Sequence, residues 1–142
     1  MQRTLRTAHF GALFAAVLSL ASATAAAGDL NCTIAGASEV TADGRLDALE
    51  GKKNYYETVA GAEFIVQRDK GLMMGRFVSN AGQKITVIDQ GSAQNSYKVL
   101  SVSPRAGGRV QSQYFEVRLQ DKGEKKPFVL VAAEVLHGFC TQ

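Results

Sequence analysis

Histidine, cysteine and proline each occur only twice in the 142 residues, and tryptophan not at all. The scarcity of histidine thins any catalytic inventory, because His9 lies in an N-terminal stretch that reads as removable and His137 is then the only imidazole left. Two cysteines and one histidine cannot close a tetrahedral zinc site unaided, so no metal is expected. The two cysteines do not form a Cys-x-x-Cys pair, which argues against thiol redox chemistry. A Gly-x-Ser-x-Gly elbow is missing, as are the phosphate-cradling Gly-x-Gly-x-x-Gly and Gly-x-x-x-x-Gly-Lys motifs. No catalytic residue and no cofactor is therefore expected. With no proline-rich linker and no internal repeat, the chain reads as one domain.

Long apolar runs are also few. The longest covers residues 10–23, short of the roughly 20 residues that a membrane-spanning helix requires. Arg3 and Arg6 precede it without an acidic residue, and Ala23-Thr24-Ala25 and Ala25-Ala26-Ala27 follow it. A basic head, an apolar middle and small residues at the −3 and −1 positions make a cleavable export signal. Cleavage is expected after Ala27, with residues 1–27 removed and residues 28–142 left as a single all-β domain that has no membrane span. A buried N-terminal helix over residues 10–27 is the alternative. Asn31 before Cys32 does not suit a lipoprotein signal, and Arg3 and Arg6 are not adjacent as a twin-arginine signal needs. The expected location is the periplasm or the cell exterior.

Charge gives no nucleic-acid footprint. Without Arg3 and Arg6, the 16 basic residues fall to 14 against 13 acidic ones, whereas phosphate binding needs clustered lysine and arginine. Lys52-Lys53 and the group Lys122, Lys125 and Lys126 sit beside glycine and glutamate and read as solvated turns.

Cys32 and Cys140 open and close the remaining chain, and an even count in an exported protein points to one disulfide. Such a bond brings the two Cα atoms within roughly 7 Å, so the first and last elements are expected to be neighbours. The loop it closes is long enough for a chain-entropy contribution of about 4.7 kcal/mol.

From residue 62 onward, short runs rich in valine, isoleucine, phenylalanine and tyrosine alternate with clusters of glycine, asparagine, aspartate and serine, the rhythm of strands and turns. Strands are expected over residues 62–68, 72–78, 84–89, 96–103, 112–120 and 128–136. Gln113, Phe115, Val117 and Leu119 share one face of the fifth, which suits an antiparallel sheet with one buried side. The last run, nearly all apolar, is expected to be covered on both sides. Asp43-Gly44 marks a hairpin, and residues 50–60 read as a loop. Sequential strands whose ends are stapled together suggest a small antiparallel up-and-down β-barrel closed by one disulfide, with a two-sheet β-sandwich as the alternative.

Three functional readings follow. The first is a non-enzymatic binding or inhibitor module that presents loops from a rigid scaffold, its partner a protein or a cell-envelope component. Tyr55 and Tyr56 are the candidate binding residues, since tyrosine brings area and a hydroxyl at small entropic cost. The second is a lipocalin-like barrel carrying a small apolar ligand, which requires an empty interior rather than one packed by Phe64, Phe77, Phe115 and Phe128. The third is an enzyme, for which Glu134 and His137 are the only named candidates, although residues three apart on a strand face opposite ways. Met73 and Met74 are expected to divide, one in the core and one on the surface.

Overall fold

The computed structural model of the protein describes residues 28–49 and 56–142. The expected export signal and residues 50–55 lie outside them. The described chain forms one antiparallel sheet of nine strands: β1 (Leu30–Val40), β2 (Leu46–Ala48), β3 (Glu63–Gln67), β4 (Leu72–Gly75), β5 (Lys84–Gln90), β6 (Tyr97–Pro104), β7 (Val110–Val117), β8 (Lys126–Val131) and β9 (Val135–Thr141). Eight of them run in the order β4-β3-β1-β9-β8-β7-β6-β5, and β2 pairs with the upper part of β1. Taken around a circle, this is an up-and-down barrel of sequential neighbours, nearly closed and all-β, rather than a two-sheet sandwich.

Closure happens where the cysteines are. Cys32 and Cys140 are direct partners in the β1–β9 ladder, joined by a disulfide with their Cα atoms 3.9 Å apart. The register follows from alternation, since Leu30, Cys32 and Ile34 point inward and Asn31, Thr33 and Ala35 outward, as a period of two requires. A bulge between Ile34 and Gly36 then shifts the pairing by one residue.

No ladder joins β4 to β5 among the described residues. Side chains lace this seam instead. Asn80 Oδ1 accepts a hydrogen bond from the Met73 amide (2.7 Å), and Asn80 Nδ2 donates to Gly71 O (2.9 Å) and Ser101 Oγ (2.8 Å). Gly71 adopts φ 68° in the β3–β4 turn, and a Cβ there would lie 2.9 Å from the Ile85 side chain. Only glycine meets both demands at that position.

The end of the barrel bearing the β3–β4 turn is plugged. Tyr97 donates through its hydroxyl to Arg68 O (3.0 Å), and the buried Arg68 donates through Nη2 to Gln90 O (2.7 Å) with its guanidinium 5.6 Å from the Tyr97 ring centre. Along the axis, Phe64, Phe115 and Phe128 pack on one another, with ring centres 5.3 to 5.9 Å apart. The two contacts of Phe64 are edge-on, as suits the aromatic quadrupole, and the Phe115–Phe128 pair is tilted. Phe77 does not join them; it is half-buried at the opposite end, under the Arg76 guanidinium.

Three expectations need correction. Residues 128–136 are two strands, β8 and β9, separated by a turn at Ala132-Ala133-Glu134 in which the Ala132 amide donates to Glu134 O. Their burial alternates: Phe128 and Leu130 face the core, and Val131 is 40% exposed. The run 72–78 ends as a strand at Gly75, because Asn80 rather than a longer β4 spans the seam. Finally, the segment read as a loop includes a single helical turn, α1 (Tyr56–Val59), whose Val59 is buried.

Candidate functional site

The outer surface of the closure region carries a trough. Along β1 the outward side chains are short: Asn31, Thr33 and Ala35. Their ladder partners are longer. Asn31 lies opposite Ile65 of β3, which in turn lies opposite Met74 of β4. On the other flank, Thr33 faces Phe139 of β9. Small residues in the middle and bulky ones on both sides leave a depression of about 560 Å³, with Glu63 and Lys125 at its margin.

Its walls are apolar and wet. Ile65 is 42% exposed, Met74 40% and Phe139 45%. Solvated large apolar groups gathered around one concavity are a recognised mark of an interaction surface. The floor is stiff, because it contains Cys32 and Ile34 and the Cys32–Cys140 bond fixes the spacing of β1 and β9. Gly138 tightens the same place: a Cβ there would lie 2.1 Å from Thr33 O, so only glycine lets the two strands approach this closely.

A second outward row crosses the other side of the sheet. Lys98, Glu116, Val129 and His137 follow one another through the β6–β7, β7–β8 and β8–β9 registers. Tyr114 donates to Glu116 Oε2 (2.7 Å). This bond holds the Glu116 carboxyl below its ordinary range, with Lys98 and Arg118 acting in the same direction. Partial burial, reinforced by the same bond, pushes the Tyr114 phenol up to about 12.

His137 lies across Gly36, where an added Cβ would come within 2.9 Å of its ring. It is exposed on β9, and Glu134 is in the turn before that strand. Among the described residues no three of His, Cys, Asp or Glu group to hold a metal ion. Met73 is buried and Met74 exposed, the division expected of adjacent strand residues. Tyr55 lies outside the described residues; Tyr56 opens α1, and its side chain is not among those described. The trough was not visible from sequence, since its walls come from three separated strands; the exposed Ile65 and Phe139 become neighbours only through β1.

Compared with protein-family models, curated proteins and solved structures, the chain matches none.

Proposed function

We propose that this chain is a non-enzymatic binding module, of the kind that includes inhibitors, working in an oxidising compartment outside the cytoplasm and docking a protein partner in the trough along β1. The observation that carries the reading is the trio Ile65, Met74 and Phe139, each 40 to 45% exposed around a floor held by the disulfide. A rigid floor lowers the ordering cost of association. Large apolar side chains around a pocket are where binding energy concentrates.

The shape suits an extended segment of about four residues, from the strand rise of roughly 3.3 Å per residue along β1. Apolar side chains at alternate positions would meet the walls, and an acidic group would meet Lys125. The three phenylalanines packed on the barrel axis favour this reading over carriage of an apolar ligand inside the barrel.

A photo-crosslinking residue placed at Phe139, and in a control at the exposed Ser112 on β7, tests it in the producing cell. The expected result is one adduct of discrete mass from position 139, absent from position 112 and lost when Ile65→Asp is added. Equal adducts from both positions, or none from 139, would overturn the proposal.

A further inference from the structure

The upper end of the barrel, opposite the Arg68–Tyr97 plug, differs in its chemistry from the trough. A cavity of about 190 Å³ lies there. Val78, Leu130 and Leu136 are buried and make its floor, and Phe77 forms one wall. The wall from β7 is polar. Gln111 and Gln113 both line the cavity, on the inward side of the strand, where Phe115 and Val117 continue the same face toward the core.

The two amides are in opposite situations. Gln111 has its carbonyl oxygen engaged, since Arg105 donates to Oε1 through both Nε and Nη2. That contact fixes which way the amide faces and leaves its NH2 group to serve as donor. Gln113 has a buried Oε1 with no hydrogen-bond partner. A buried acceptor left without a donor is costly, and a ligand that supplies the donor recovers that cost. The terminal torsion of glutamine is broad and soft, so its carbonyl can turn toward a donor that enters the cavity.

A donor and an acceptor side by side above an apolar floor match one functional group in particular. We propose that this cavity is a recognition pocket for a small carboxamide, such as an acetamido group. Its N–H donates to Gln113 Oε1, its carbonyl accepts from the Gln111 NH2, and its methyl group rests on Val78, Leu130 and Leu136. A carboxylate of the same shape is disfavoured, because it has no donor for Gln113 Oε1. The inference is independent of the trough, whose residues it does not use.

Titration with acetamide and with acetate, followed by backbone amide chemical shifts of the full chain, separates the possibilities. Acetamide is expected to saturate in the millimolar range, as roughly four heavy atoms allow, with shifts confined to Phe77, Gln113 and Ala132 and their neighbours. Acetate is expected to leave those signals in place. Gln113→Leu keeps the volume and removes the acceptor, and it should weaken acetamide by roughly tenfold or more while the core signals of Phe115 and Val99 stay unchanged. Gln111→Leu should weaken it as well, with the rest of the barrel untouched. Equal responses to acetamide and acetate, unsaturable shifts, or full binding by Gln113→Leu would each overturn the proposal.

Discussion

Asn80 and Ser101, 21 residues apart, share a 2.8 Å hydrogen bond across the barrel's only unladdered seam among the described residues. Through it, and through its bonds to Gly71 and Met73, one side-chain amide does the closing that strand ladders do around the rest of the barrel. Asn80 is fully buried. Asn80→Ala therefore leaves the Met73 amide, Gly71 carbonyl and Ser101 hydroxyl short of a partner without admitting water freely. The expected loss of unfolding free energy is about 2–4 kcal/mol, read as a lower urea midpoint at unchanged slope. A loss under about 0.5 kcal/mol, the usual range for surface substitutions, would show that the seam holds without it.

The disulfide closes the other half of the circle. Replacing both cysteines, Cys32→Ala with Cys140→Ala, removes a cross-link with a sequence separation of 108, and a cost of about 2–5 kcal/mol is expected. The β1–β9 ladder continues on both sides of the pair, so the double variant should keep its β-sheet circular dichroism in the cold and melt at a lower temperature. A melting temperature equal to that of the oxidised parent would show that the ladder alone suffices.

The cysteines, the turns and the one-sided alternation of residues 113–117 were legible in the amino-acid sequence, because each depends on local chemistry or on an even count of sulfurs. The break at Ala132-Ala133-Glu134 was not. It holds no glycine, proline, asparagine or aspartate, and the outward positions Val129, Val131 and Val135 are as apolar as the inward ones, so the pattern does not change across the turn. Asn80 was legible only as a turn residue; that its amide reaches Ser101 depends on where β6 lies. Pockets composed from several strands carry no mark in any one of them.

Tyr97 and Tyr114 make a prediction about alkaline pH. Both phenols are pushed up to about 12 from an ordinary value of 10.0: Tyr97 by burial, Tyr114 by burial and by its bond to Glu116. A folded-state value above the unfolded one means that the native state holds its proton more tightly. Their contribution is thus complete below pH 10 and is lost as the pH rises from 10 through about 12. Absorbance at the phenolate band should show two groups ionising near 12 in the native protein, one removed by Tyr97→Phe and the other by Tyr114→Phe. Glu116 acts in the opposite direction. Its lowered value gives stability that is present above about pH 4.5 and is lost as the pH falls through the depressed value. Tyr114→Phe should diminish that acid dependence, and an unchanged acid limb would remove the Tyr114–Glu116 bond as its cause.

Met73 and Met74 are adjacent in sequence and opposite in fate: Met73 is fully buried on the core side of β4, and Met74 is 40% exposed on the wall of the trough. Thioether oxidation requires access to the sulfur and converts an apolar side chain into a polar one. Mild peroxide treatment is expected to oxidise Met74 at least about tenfold faster than Met73, since oxidation of the latter must await an opening of the barrel. Peptide mass spectrometry over a time course reads the two rates separately. The functional consequence tests the trough directly. A chain oxidised at Met74 alone should keep its unfolding midpoint, because the sulfoxide faces water, and should lose the crosslinked adduct from position 139, because one of three apolar walls has become polar. Full crosslinking by that oxidised chain would mean that Met74 is exposed for no reason connected with binding, and the docking surface would have to be sought on another face of the barrel.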